Sequence, residues 1–184
     1  MQGDSWAMEK PVLLTELVQT PFAGSDEFIQ VREIAYKLRA HLDTPVAQAR
    51  IAEAHQPGRP SAEVQRAFGE FARELGFRSE VKGLFAGYST PGLRPDYFLA
   101  LGSTGILLEV ERGKTTINNM DLLDLWKCHL CEHAQYLFLL VPVALTQHVD
   151  MRPRNEYASV CKRLATFFMD RNYTNVRGLF IFGY

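Results

Sequence analysis

The sequence predicts an α/β fold in which a mixed β-sheet is flanked by helices. Two apolar runs of strand length, residues 97–101 and 105–110, are separated by the turn-forming residues Gly, Ser and Thr. This pattern is typical of a β-hairpin. A helical segment, residues 120–134, then separates this hairpin from a continuous apolar strand at residues 136–143. Because a helix between two buried strands favours a crossover and parallel neighbours, the sheet should combine antiparallel and parallel pairs.

Composition and charge narrow the class of protein. The 184 residues, 47% hydrophobic and 22% charged, indicate one globular domain with a substantial core. A net charge of −1 disfavours a chain that coats nucleic acid with its whole surface, but it is compatible with a local basic cleft. No apolar run is long enough for a transmembrane helix and no secretion signal is recognisable, so we expect a cytoplasmic protein with reduced cysteines.

The N-terminal part of the chain is expected to be a helical extension. Residues 1–24 mix Pro, Gly and short apolar pairs and are predicted to be irregular. Two helices, residues 26–41 and 46–55, follow from Ser-Asp and Thr-Pro start signals and from apolar spacing. A Gln-Pro-Gly-Arg-Pro stretch then breaks the chain. We therefore predict a helical extension at residues 1–57, packed on a core formed by residues 58–184.

The core should begin with a helix and end with a strand. An N-cap serine, a terminal glycine and a Gly/Pro-rich loop mark the first boundaries. Besides the segments named above, the expected elements are a helix at residues 61–75, a strand at 77–84, a loop at 85–93, a helix at 153–169 and a final strand at 176–182.

Three carboxylates are expected on one side of the hairpin's open end. A turn at Ser103-Thr104 places Asp96 opposite Glu111. The same register places Phe98 opposite Glu109, so all three acids point to one face. Like charges in an otherwise apolar strand pair repel each other and lose solvation, which favours neutralisation by a divalent cation. The alternative is a solvent-exposed strand end.

Pro95-Asp96, followed thirteen residues later by Glu109-Val110-Glu111, resembles the active-site signature of the PD-(D/E)xK nuclease superfamily, which has the restriction-endonuclease-like fold. The resemblance covers roughly residues 62–142. One departure is clear, because Glu111 stands where the signature has lysine, although some restriction enzymes also carry an acid there. The resemblance implies an αβββαβ core and a DNA phosphodiester hydrolase that depends on Mg²⁺ or Mn²⁺.

The resemblance also implies roles for the acidic residues. Asp96 and Glu109 would be metal ligands, and Glu111 would be a further ligand or a base that positions water. The helix before the first strand often offers a carboxylate to the metal in this superfamily. Glu63 is therefore a further candidate ligand, with a solvated acidic helix flank as the alternative.

Basic residues near the acids are candidates for catalysis and for DNA contact. The signature lysine is thought to orient the water and stabilise developing charge, and Lys114 or Lys127 could reach that space from another backbone position. We expect Lys114, directly after the acids, to be catalytic. Arg94, Arg112 and Lys127 are expected to contact phosphates of nucleic acid. On strand parity, Arg112 faces away from Glu111.

The segment from Cys128 to His133, Cys-His-Leu-Cys-Glu-His, contains donors that suit zinc. A second ligand pair further along the chain is not evident. Because the segment lies within a predicted helix beside apolar residues, buried thiols are expected and a structural zinc ion is the alternative.

Two further functions stay open from the sequence. A catalytically inactive relative that binds nucleic acid or a protein partner would explain the missing signature lysine and the near-zero charge. An assembly module, with the N-terminal helices as a homodimer interface, is a third possibility. DNA is the partner that the nuclease hypothesis requires.

Overall fold

In the computed structural model, the described residues are 11–56, 61–79, 83–89, 92–113, 115–145 and 153–184, with Ser61, Phe68 and Leu145 described only as backbone. The α-helices of this part are α1 (Asp26–Leu42), α2 (Pro45–Ala54), α3 (Ser61–Glu74), α4 (Met120–Leu130) and α5 (Glu156–Ala165). Its strands are β1 (Leu13–Val18), β2 (Arg78–Ser79), β3 (Tyr97–Leu101), β4 (Thr104–Val110), β5 (Tyr136–Val141), β6 (Ala144–Leu145), β7 (Arg154–Asn155) and β8 (Gly178–Gly183).

Six strands form one mixed sheet in the order β1-β8-β5-β4-β3-β2. The middle strands β4, β5 and β8 are parallel, and antiparallel pairs lie on both sides of them. Helices α4 and α5 connect the parallel strands, as the crossover argument predicts. The predicted α/β class, with a mixed sheet flanked by helices, is confirmed.

Helices cover both faces of the sheet. One face packs against α1, α2 and α3 around Phe28, Phe138 and Phe180. The other face packs against α4 and α5 around Leu125 and Leu137. Because β5 and β8 are buried on both faces, their sequences read as continuous apolar runs. Among the described helices, none is both long and apolar enough to cross a lipid bilayer.

The N-terminal segment contains a strand that the sequence analysis missed. Residues 1–24 were predicted to be irregular, but Leu13–Val18 forms the edge strand antiparallel to β8. Leu14 and Val18 pack toward the α1 face, and Leu17 packs toward the opposite face. The strand partner lies at the other end of the chain, so local pattern could not reveal the pairing. The described part of the predicted extension, residues 11–56, is therefore more than helical, because it contributes an edge strand of the sheet.

Two other predicted elements are shorter than expected. Of the strand expected at residues 77–84, the described part forms a strand only at Arg78–Ser79, and Gly83 with positive φ begins a turn. The helix expected at residues 120–134 ends at Leu130, because Cys131 is extended with φ −69° and ψ 116°.

The two-residue turn of the hairpin lies one residue earlier in the chain than predicted, which changes the register of the strands. Tyr97 pairs with Leu108 and Leu101 pairs with Thr104, so the turn residues are Gly102-Ser103. Gly102 has φ +59°, a conformation that glycine adopts without strain at the first position of a hairpin turn. Extending this register places Asp96 opposite Glu109 instead of Glu111. The predicted Asp96–Glu111 pairing is therefore wrong.

Gly105→Ala should destabilise the protein strongly. A Cβ atom at this position would lie 2.6 Å from the carbonyl oxygen of Leu99 and 2.7 Å from that of His133, so backbone must move. Overpacking of this kind costs about 1–3 kcal/mol, occasionally more. Denaturant unfolding measures the loss. Gly24→Ala is the control, because a Cβ there meets nothing within 4 Å. Equal stability of the two variants would contradict this close packing.

Candidate active site

The open end of the β3–β4 hairpin carries two acidic side chains that bind across the strands. The backbone N–H of Asp96 donates to Oε2 of Glu109 at 3.3 Å. The backbone N–H of Val110 donates to Oδ2 of Asp96 at 2.9 Å. Each carboxylate therefore binds the backbone of the opposite strand where the ladder ends. Asp96 and Glu109 lie side by side as a result.

Helix α4 brings a lysine and a further carboxylate to this pair. Nζ of Lys127 lies 2.7 Å from Oε1 of Glu109 and 3.2 Å from Oδ1 of Asp124. Asp124 and Lys127 are three residues apart, so they share one face of the helix. Only 4% of Glu109, 1% of Asp124 and 7% of Lys127 is exposed. The ion pairs are therefore shielded from water and from screening by salt.

The carboxylates outnumber the ammonium, and their pKa values reflect this. Burial raises the pKa of Glu109 well above its ordinary value, and the charge of Asp124 raises it further. Burial, followed by the charges of Asp124 and Asp96, raises the pKa of Glu111 to about 8. Burial also raises the pKa of Asp124, to about 6, against the opposing effect of Lys127. Burial alone would lower the pKa of Lys127, but Glu109 and Asp124 raise it.

One carboxylate oxygen of this cluster is an unsatisfied hydrogen-bond acceptor. Oδ2 of Asp124 is buried and has no hydrogen-bond donor. A protonated Glu111 can supply one, because the two carboxyl groups are in contact and the pKa of Glu111 is about 8. A cation would supply the same neutralisation without a proton. The backbone of Glu111 is held from the other side, where the Tyr184 hydroxyl donates to its carbonyl oxygen at 2.7 Å.

The donor set suits a hard divalent cation. Carboxylate oxygens are the ligands that Mg²⁺ prefers, and such sites often use only one or two of them, with water and phosphate oxygens completing the shell. Within the described part of the chain, no three His, Cys, Asp or Glu side chains are arranged to hold a metal ion by themselves. The Asp96–Glu109 pair matches the two-carboxylate pattern, with Lys127 occupying the space on one side.

The other predicted site residues lie in different places. Glu63 lines a groove between α2 and α3 with Arg50 and Glu53. Helix α3 packs on the opposite sheet face from Lys127, and the role of Glu63 as a metal ligand stays a prediction. Lys114 lies outside the described residues.

The basic residues that were expected to contact DNA differ in their exposure and in their contacts. Arg94 is exposed two residues before Asp96. Arg112 donates to the backbone oxygen of Gln56, so its guanidinium is engaged at the end of α2. Lys127 is buried among acids and lies in the cluster, not on a phosphate-binding surface. That position matches the alternative role considered for it, as a substitute for the signature lysine.

Asp124 is the site residue that sequence reasoning missed. A signal was present, because Asp124 and Lys127 are spaced to share one helix face directly after the acidic strand. Roles were predicted for Lys127 on this helix but not for the acid three residues before it.

The cysteines on α4 are buried free thiols, as expected. Cys128 and Cys131 are both buried and unbridged. Burial raises the pKa of both thiols. The Cys128 Sγ lies 3.8 Å from the carbonyl oxygen of Ala134, which gives the thiol a weak hydrogen-bond acceptor. Neither thiol is poised for nucleophilic chemistry.

No protein-family model matches the chain, and no curated protein matches it. The function is therefore inferred from the residues of the site and their geometry.

In EDTA, ionisation of Glu111 should make the protein less stable as the pH rises from about 4.5 to 8. The folded-state pKa of about 8 exceeds the ordinary value of 4.5, so the unfolded chain releases this proton first. The contribution is fully present below pH 4.5 and falls by roughly 5 kcal/mol across the window. Urea unfolding of the parent and of Glu111→Gln isolates it as a difference in pH slope.

The matched control for that slope is Glu132→Gln, because the Glu132 side chain is 72% exposed. It should keep the parental slope. Identical slopes for Glu111→Gln and the parent would show that Glu111 is not buried against Asp124.

Lys127→Met should destabilise the metal-free protein by roughly 3–5 kcal/mol, because Glu109 and Asp124 lose their buried counter-charge. The double variant Lys127→Met/Glu109→Gln should recover part of this loss, since one of the unpaired charges is removed. Lys162→Met, at an exposed position, is the control. Denaturant unfolding gives the free energies. If Lys127→Met matches Lys162→Met, the buried ion pair is absent in solution.

Proposed function

We propose that this protein is a divalent-cation-dependent phosphodiester hydrolase that cuts DNA. The observation that carries the proposal is the group of Asp96, Glu109 and Lys127 at the open end of the hairpin, in which Glu109 and Lys127 are buried. Two carboxylates beside one ammonium are the functional groups that the PD-(D/E)xK resemblance implies. The order helix, three strands, helix, strand from α3 to β5 supports the same proposal.

Lys127 accounts for the main departure from the signature. Glu111 occupies the sequence position of the signature lysine, but an ammonium reaches Glu109 from α4 instead. A lysine that arrives from a helix places the same charge beside the same carboxylate. We therefore assign to Lys127 the role that the sequence analysis expected of Lys114.

The proposed mechanism divides the work among five side chains. Asp96 and Glu109 would hold Mg²⁺ or Mn²⁺, and Glu111 lies close enough to the cluster to assist. When bound, such a cation polarises the scissile phosphate and lowers the pKa of a bound water. Lys127 donates hydrogen bonds to the attacking water and to the negative charge that develops on the phosphoryl oxygens. Asp124 holds the Lys127 ammonium in place.

The reaction balances as a hydrolysis. The oxygen of water forms a bond to phosphorus while the P–O bond to the leaving sugar breaks. One proton of the water is lost, and the leaving alkoxide takes up one proton. Arg94, exposed beside Asp96, is placed to contact a flanking phosphate.

A second candidate is a protein that binds nucleic acid or another protein without cutting it. The observation that favours it is the Lys127–Glu109 ion pair, which already neutralises one carboxylate without a cation. This candidate predicts binding with no cleavage under any divalent cation. The third possibility, an assembly module, predicts neither binding nor cleavage.

Asp96→Asn and Glu109→Gln should each lower DNA cleavage by at least two orders of magnitude, because each removes a cation ligand whose effect is worth several kcal/mol in the transition state. Lys127→Met should cause a comparable loss. The assay follows supercoiled plasmid and duplex oligonucleotides with Mg²⁺, Mn²⁺, Ca²⁺ or EDTA, beside thermal melts of each variant.

Asp170→Asn, which changes an exposed acid far from the cluster in sequence, is the control and should cut like the parent. A parent protein that binds DNA but never cuts it would favour the second candidate. If Asp96→Asn cuts as well as the parent, the hairpin end is not the active site.

A further inference from the structure

The segment between β4 and α4 exposes Ile117 and Asn118 to solvent. It joins the strand that carries Glu109 to the helix that carries Lys127. Ile117 is 44% exposed, and the neighbouring Asn118 is also exposed. These two residues form the tip of the segment.

A buried glutamate anchors the segment before the tip. Oε1 of Glu156, at the start of α5, accepts a hydrogen bond from the backbone N–H of Thr116 at 2.6 Å. The same oxygen accepts one from the Thr116 hydroxyl at 2.8 Å. Glu156 is fully buried, so both bonds are protected from water.

An arginine of α5 anchors the segment after the tip. Arg163 donates to the carbonyl oxygen of Thr116 at 3.1 Å and to Oδ1 of Asn119 at 3.0 Å. It also binds both carboxylate oxygens of the fully buried Asp121, one of them at 2.9 Å. Asn119 has φ +56° and does not cap α4 with its side chain, because its amide oxygen accepts from Arg163. The tip is therefore held on both sides by charged hydrogen bonds.

Burying these charged groups costs free energy that a segment which only joins a strand to a helix does not require. Buried charges lose solvation, and apolar packing of the same volume is often equally stable. The gain lies in the fixed position of the tip, since a preordered contact loses less conformational entropy on binding. An exposed aliphatic side chain next to an exposed amide is a combination that suits contact with nucleobases, by apolar and hydrogen-bonding contacts respectively.

The tip also lies within reach of a substrate held in the cluster. Asn118 precedes Met120 by two residues, and Asp124 lies one helical turn further on. The Cα atoms of Asn118 and Asp124 can therefore be no more than about 13 Å apart. Since duplex DNA rises 3.4 Å per base pair, this distance corresponds to about four base-pair steps.

We propose that Ile117 and Asn118 contact the bases of duplex DNA next to the cleaved phosphate. Asn118 hydrogen-bonds to a base edge, and Ile117 makes apolar contact with the same or the adjacent base. Glu156 and Arg163 are positioning residues that hold this tip. The inference rests on the proposed function and names its substrate class as base-paired DNA that is read near the cut.

The test compares Ile117→Ala and Asn118→Ala with a matched exposed pair on α1. Ile29→Ala and Gln30→Ala are the controls, because Ile29 is 45% exposed and Gln30 is exposed beside it. Binding of a fluorescent mixed-sequence duplex is measured by anisotropy with full-length chains that also carry Asp96→Asn. Cleavage positions on a long duplex are mapped by end sequencing with otherwise unmodified chains.

Asn118→Ala should weaken duplex binding about tenfold and change the preferred bases next to the cut. Ile117→Ala should weaken binding, while both controls should match their parent. Arg163→Gln should weaken duplex binding like Asn118→Ala, and the two effects should not add if Arg163 acts through the tip. If Arg163→Gln fails to fold, the surface variants still decide the matter.

Two outcomes would overturn the proposal in distinguishable ways. If the tip variants bind and cut with parental rates and base preferences while Asp96→Asn abolishes cleavage, the tip is not the reading element and the proposed function stands. If the parent neither binds nor cuts duplex DNA with any divalent cation, the proposed function fails, and the inference fails with it.

Discussion

The buried contact between Lys127 and Glu109 is the interaction on which the candidate site depends. It joins the hairpin end to α4, which are separate in sequence and packed face to face. Without this ammonium, four carboxyl groups would converge at the edge of an apolar core with no positive partner. Removing one partner of such a pair leaves an uncompensated buried charge, which proteins tolerate poorly. The contact therefore controls both the stability of the packing between the hairpin end and α4 and the arrangement of the acids there.

Helix α4 is held at both ends by charged groups. Asp121, in its first turn, is bound by Arg163 of α5, and Lys127, two turns later, is bound by Glu109 of β4. Asp124 lies between them and contacts the same lysine. This double attachment fixes the rotation and the height of the helix against the sheet. A site that requires an ammonium at a set distance from a carboxylate benefits from such rigidity.

Much of the fold could be predicted from local pattern. The hairpin, the buried strand at Tyr136–Val141 and the starts of the main helices follow from alternation, helical spacing and caps, which involve residues close in sequence. The proximity of Asp96 to Glu109 was also accessible, because a hairpin brings sequence neighbours together. Local pattern could not set the register itself, since Gly102-Ser103 and Ser103-Thr104 are both acceptable turns. The left-handed conformation of Gly102 distinguishes them.

By itself, the sequence determined the α/β class and the pair of acids, because both depend on interactions within a short stretch of chain. Only the tertiary structure decided which lysine reaches the acids and that Asp124 belongs with them. These outcomes depend on which sheet face each helix covers, and local periodicity shows that a helix has an apolar side without showing what lies against it. The same reason explains β1, whose partner β8 is formed by residues at the far end of the chain.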